Sequence, residues 1–240
     1  MKITELIVDK KNNLWDGDTP TVVFFGDSVT QGCFDCYINE EGVIDTVFKQ
    51  KNAYHRYFAD ILSYLYPTVP VNIINAGISG DNVTHACGRI HKDVLKFKPN
   101  LTVVCFGLND CHRGIDGIGE YTDGLRTIFS TLKNANSEII FMTPNMCNTR
   151  VSQDIKDEIL TDAAKSCMQI QNEGVFDVYI KAACDVAGEF NIPVCDVYAK
   201  WKKMQKNGVD ITALLANSIN HPSEKMNWLF AYSLIETMME

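Results

Sequence analysis

Thr21-Val22-Val23-Phe24-Phe25-Gly26-Asp27-Ser28-Val29-Thr30-Gln31-Gly32 is an apolar run, TVVFF, that breaks into a polar, glycine-flanked turn. A short continuous run of this kind reads as a strand buried on both faces. The signature recurs at VNIIN (71–75), LTVVCF (101–106), EIIFMT (138–143) and IPVCDV (192–197). Helix-period stretches lie between these runs. Residues 54–66 put Tyr57, Phe58, Ile61, Leu62 and Leu65 on one side, and 82–97 and 121–134 behave similarly. Residues 154–190 are long enough for two helices, with Gly174 as the break, and 223–239 reads as a packing helix. Strands that alternate with helices predict a parallel sheet covered on both faces and joined by right-handed crossovers. The expected fold class is therefore α/β: a three-layer α/β/α sandwich with a five-stranded parallel sheet, in a flavodoxin-like layout. No internal repeat or linker interrupts the pattern, so residues 1–240 are expected to form one domain.

The irregular stretch is 33–52, CFDCYINEEGVIDTVFKQKN. Its EEG turn between CYIN and VIDTVF predicts a small hairpin or lid. An insertion here would stand at the mouth of a site built on the first loop, beyond the carboxyl ends of the strands, where open α/β sheets bind ligands.

Composition narrows the function classes. The 240 residues carry 22 Lys+Arg and 30 Asp+Glu, a formal net charge of −8. Such a chain repels phosphate, so nucleic acid is not an expected partner. Hydrophobic residues make up 46 %, too many for a disordered chain. No apolar run is long enough to span a bilayer, so no membrane partner is expected. Charges at Lys2, Glu5, Asp9, Lys10 and Lys11 break up any signal-peptide core, and the chain reads as cytoplasmic. A mature chain with its leader removed would look the same. The nine cysteines are odd in number and scattered, which fits buried free thiols in a reducing compartment. Cys33 and Cys36 form a lone CxxC with no second pair for a metal, so a structural role is expected.

Four polar groups fall just past predicted strands or in a late loop. Ser28 follows the first strand. Gly77 and Gly80 lie in NAGISGDN after the second, and Asn109 lies in FGLND after the third. His221 is held by Pro222 before the last helix. Each has an ordinary explanation as a cap, a tight turn, an Asx-turn or a surface histidine. Their shared location and order are less ordinary. GDSVTQG, NAGISGDN, GLND and the HP of INHP together resemble the four blocks of the SGNH hydrolases, the GDSL lipase/esterase family. The resemblance extends from about residue 21 to 222.

The resemblance implies that Ser28 is a nucleophile and His221 its general base, later the acid that protonates the leaving alcohol. It also implies an oxyanion hole made by the Ser28 and Gly80 backbone N–H groups and the Asn109 side-chain amide. One member is missing. The family places an acid shortly before the histidine, and here positions 217 and 218 are Asn and Ser. The candidates to orient His221 are a backbone carbonyl, the Asn217 side-chain oxygen, or a carboxylate from elsewhere, Asp196 or Asp35. His112 is a further neighbour of the site. Asp27 and Asp110 flank the implied catalytic positions. They are candidates for contact with substrate, or for bonding backbone N–H groups to hold the Ser28 and Asn109 loops. Tyr37, Phe34 and Phe48 in the insertion are candidates to stack on a sugar ring.

The leading expectation is a serine esterase that cleaves a small acyl, above all acetyl, ester from a small-molecule substrate such as an acetylated carbohydrate. The missing carboxylate motivates an alternative, a catalytically silent carbohydrate-binding protein. No phosphate-binding glycine loop appears, which weighs against a nucleotide or flavin. Neither a cofactor nor a metal is implied. Activity is expected to rise as His221 loses its proton, at about pH 6–7.

Overall fold

The computed structural model describes residues 1–240. Seven strands form: β1 (Thr21–Gly26), β2 (Cys33–Ile38), β3 (Ile44–Phe48), β4 (Asn72–Gly77), β5 (Leu101–Cys105), β6 (Glu138–Met142) and β7 (Val194–Cys195). Five of them make a parallel sheet in the order β4-β1-β5-β6-β7. The other two, β2 and β3, pair antiparallel as a hairpin within the expected insertion. The hairpin turns at Gly42, whose φ of 75° is one that glycine adopts without strain.

The helices are α1 (Lys2–Asn12), α2 (Ser28–Gln31), α3 (Tyr54–Leu65), α4 (Val83–Asp93), α5 (Ile118–Asn134), α6 (Glu158–Asn172), α7 (Val175–Glu189), α8 (Val197–Lys206) and α9 (Glu224–Met239). They fall into two packed groups. In one, α9 meets α1, α3 and α8; in the other, α5 joins α4 to α7, and α7 packs on α6. Strand alternation assigns the groups to opposite faces of the sheet. Phe24 meets Tyr54 and Phe58 of α3 edge-on, at 5.5 and 5.4 Å. The next residue, Phe25, meets Phe106 at 5.3 Å and the Arg89 guanidinium of α4 at 4.6 Å. The fold is thus the α/β sandwich that the alternating pattern predicts. All of β1 and β5 is buried, and truncating one of these phenylalanines would remove about 3–5 kcal/mol.

Three departures have local causes. The last strand is two residues long, not six: Pro193 has no N–H for a ladder, and Asp196 already caps α8 by accepting from Ala199 N. The β4 strand is only half-buried, because it is the sheet edge rather than an interior strand. The 82–97 stretch is helical only to Asp93, then turns through a short 3-10 segment, Leu95–Phe97. The 154–190 stretch does divide at Gly174, whose φ is 78°.

Candidate active site

The first candidate, Ser28, is the first residue of α2, at the carboxyl end of the fully buried β1. The preceding Asp27 makes the sharp turn possible, its Oδ1 accepting the Val29 N–H at 3.0 Å. Close packing behind the turn requires glycine. A Cβ on Gly26 would collide with Thr30 and the Cys105 carbonyl, and one on Gly77 would strike the Gln31 backbone. Thr30 is fixed in turn by a 2.8 Å bond to the Tyr54 hydroxyl. The serine is therefore held by a rigid β1–α2 corner rather than a free loop.

Across the site, His221 Nε2 lies 2.9 Å from Ser28 Oγ, and both residues are buried. The histidine loop is built by Asn217. Its Oδ1 accepts the backbone N–H groups of Ile219, Asn220 and His221, each at 3.0 Å. Asn217 thus shapes the loop and does not hold the imidazole ring, correcting one expectation. Asp196 is corrected likewise: its carboxylate is spent on the Ala199 N–H and the Thr143 hydroxyl. Asp35 accepts from the adjacent Cys36 N–H. What faces the other ring nitrogen is strand β2. Cys36 Sγ lies 4.0 Å from His221 Nδ1, and Asn217 Nδ2 donates to the same sulfur at 3.5 Å. The Phe34 backbone lies on the same side and favours the charged ring. Burial pushes the imidazole down to about 4, and the Phe34 backbone only partly opposes this. At neutral pH the ring is an uncharged base.

Two glycine- and asparagine-bearing loops complete the wall. Gly80 has a φ of 77° and open space where a side chain would be. The backbone N–H groups of Ser28 and Gly80 have no acceptor within the protein, whereas the flanking Ser79 and Asp81 N–H groups are bonded to Gln31 Oε1 and the Ile78 carbonyl. Asn109 donates one amide hydrogen to the Asp81 carbonyl at 2.8 Å. Sequence reasoning missed what anchors this loop, Arg89 of α4. It donates to Asp81 Oδ2 at 2.7 Å, to the Ala76 carbonyl at 2.7 Å and to the Gly26 carbonyl at 3.0 Å. One guanidinium thereby ties the ends of β1 and β4 to the Gly80 loop. Its sequence signal is weak, since an arginine at helical spacing usually faces water.

Ser28, Gly80, Asn109 and His221 line one cavity of about 380 Å³, together with His112, Cys167 and residues of the hairpin. Asp27 and Asp110 are not on its wall. Both are buried behind it, and Asp110 Oδ1 accepts the Val83 N–H that opens α4. Burial raises Asp27 to about 7 and Asp110 to about 6. Of the two roles expected for them, the geometry fits loop-holding and not contact with substrate. Tyr37 lines an adjoining open pocket of about 500 Å³, with its hydroxyl on Asp45 Oδ2. Phe34 is buried and Phe48 exposed; neither is on the wall of either pocket.

The fold and site define a class: an α/β sandwich with a serine–histidine pair set among glycine- and asparagine-bearing loops at the carboxyl ends of its strands. Residues 24–229 match the model of the GDSL-like lipase/acylhydrolase family, and the chain belongs to that family. Among curated proteins it is similar to an acetylxylan esterase of Geobacillus stearothermophilus, at 29 % identity over 137 residues, 53 % of this chain. The match spans 61 % of that relative's length. Among solved structures it resembles Axe2, an acetylxylan esterase from Geobacillus stearothermophilus, with a TM-score of 0.67 and 22 % identity over 91 % of this chain and 94 % of that one. It also resembles a GDSL-like lipase-type protein from Parabacteroides merdae, with a TM-score of 0.70 and 20 % identity over 92 % and 96 %. At these identities the structures establish the fold. No helix is long and apolar enough to cross a membrane.

Proposed function

We propose that this protein is a serine esterase that removes small acyl groups, acetyl foremost, from carbohydrate esters. The observation that carries the reading is the 2.9 Å contact between Ser28 Oγ and the His221 Nε2 of a buried, neutral imidazole. In the proposed reaction His221 takes the hydroxyl proton as Ser28 attacks the ester carbonyl. The unpartnered N–H groups of Ser28 and Gly80, with the second amide hydrogen of Asn109, receive the charge that develops on the carbonyl oxygen. The imidazolium then protonates the departing alcohol, and water repeats the sequence on the acyl-serine.

In this reading the dyad works without an aspartate, and strand β2 stands where that acid would be. Cys36 Sγ, 4.0 Å from Nδ1, and the Phe34 backbone stand on the far side of the ring, where they would orient it. Neutral partners stabilise an imidazolium less than a carboxylate does, so turnover is expected to be modest. The acetylxylan esterase relative supports the acetyl-carbohydrate substrate class. No observation favours the silent carbohydrate binder.

The test is labelling with a fluorophosphonate, read as intact mass. One adduct is expected on the native protein and none on Ser28→Ala. A panel of acetylated xylosides and longer acyl esters then ranks substrates. An unlabelled native protein that also leaves every ester intact would refute the reading.

A further inference from the structure

A second nucleophile–base contact opens into the Ser28 cavity, and the ester chemistry uses neither partner. Cys167, on α6, has its Sγ 3.7 Å from His112 Nε2. The histidine belongs to the turn Asp110–Arg113, directly after Asn109. Both residues line the 380 Å³ cavity with Ser28. A third group completes the cluster. Cys147 is buried, and of the neighbouring groups it acts most strongly on the Cys167 thiol. Cys147 is tied to the same helix, its N–H donating to Gln171 Oε1 at 2.9 Å. The other titratable groups facing Cys167 are Cys36 of β2 and Cys111 of the His112 turn, and all nine cysteines are unbridged.

We propose that Cys167 and His112 form a second reactive pair, a peroxide-modification site in the wall of the Ser28 cavity, with Cys147 as the resolving thiol. The Cys167 thiolate attacks one oxygen of hydrogen peroxide. An S–O bond forms, the O–O bond breaks, and the departing hydroxide takes the proton of the His112 imidazolium to become water. Sulfur is oxidised by two electrons to the sulfenic acid and the peroxide is reduced. The Cys147 thiol then attacks that sulfur. An S–S bond forms, and the sulfenic oxygen leaves as water with the Cys147 proton. Cys147 and then His112 lower the Cys167 thiol against the opposing effect of burial, and the same contact raises His112. Cys36, on the same cavity wall, is pushed the other way by burial and remains a thiol, which makes it the internal control.

The experiment follows thiolate absorbance at 240 nm from about pH 4 to 10, then maps oxidation by mass after peroxide treatment. The native protein should show one thiolate step well below the ordinary thiol range, absent from Cys167→Ser. In His112→Gln the step should move up by about one pH unit or more, with oxidation at pH 7 slowed about tenfold. His112 is exposed, so that variant keeps its fold. Peroxide should remove about 2 Da by joining the Cys147 and Cys167 peptides, and Cys147→Ser should stop at a dimedone-trapped sulfenic acid. A Cys167 that titrates like an ordinary thiol, or oxidation at Cys36 while Cys167 stays reduced, would overturn the proposal. No readout involves ester turnover, so the result stands apart from the esterase reading.

Discussion

A buried imidazole changes the pH behaviour expected of a serine–histidine pair. An exposed His221 would gain its proton at about pH 6–7 and lose base function there. Burial instead lowers its value to about 4, so the base form persists into acid. Hydrolysis of a neutral acetyl ester, followed as kcat/KM, should rise through about pH 4–5 and be level from about pH 6 to 8. A midpoint above pH 6 would show the ring to be solvated. Asp27 runs in the opposite direction. Its value is raised to about 7 from 3.8, so the folded chain keeps a proton that the unfolded chain has released. Its contribution to stability is complete below about pH 4 and is lost as pH rises through about 7. Asp27→Asn keeps an acceptor for the Val29 N–H but cannot ionise. Compared with the native protein, its stability in urea should improve between pH 5 and pH 8, by about 2–4 kcal/mol. Parallel pH profiles for the two proteins would mean that Asp27 is already ionised at pH 5.

At the scale of elements, the site depends on how strand ends are clamped. The Arg89 side chain carries three such links from α4, to Asp81, Ala76 and Gly26. Arg89→Met would leave the buried Asp81 carboxylate without its cation, a loss of about 3–5 kcal/mol in urea denaturation. The Gly80 loop would loosen with it, so fluorophosphonate labelling of Ser28 should slow even in the molecules that remain folded. Arg89→Lys should recover little, since an ammonium cannot reproduce the fork. An Arg89→Met protein with native stability would disprove the clamp. These clamps also mark the limit of sequence reading. Runs such as TVVFF and LTVVCF announce their strands because burial on both faces demands continuous apolar residues, and Gly174 announces a helix break by its conformational freedom. Ser28, Gly80, Asn109 and His221 are recognisable because they recur in fixed blocks. Arg89 and the Phe34–Cys36 edge of the hairpin are not, because their roles arise from contacts across 63 and 185 residues of chain. For Asp27 and Asp110 the sequence leaves two roles open, and only the contacts choose the bonding of backbone N–H groups behind the cavity.

The molecule as a whole has a charge of −8, and a pocket beside the site shares that sign. The open 500 Å³ pocket beside the Ser28 cavity is lined by Asp35, Asp154 and Asp157 against Lys156 alone. It shares Cys36, Leu160, Asn217 and Ile219 with the cavity, so under the proposed function a substrate longer than the acyl group would extend across it. Carboxylates there would suit the hydroxyl groups of a neutral sugar and would repel an anionic leaving group. The repulsion is long-range and screened by salt, with a Debye length of about 30 Å at 0.01 M and about 8 Å at 0.15 M. For an anionic acetyl ester, kcat/KM should therefore rise about twofold or more between these ionic strengths, while that for a neutral acetylated xyloside should change little. Because screening acts on encounter, the gain for the anion should appear in kcat/KM and not in kcat. If the anionic ester instead slowed as salt was added, a cationic subsite, centred on Lys156 or Lys49, would dominate the approach.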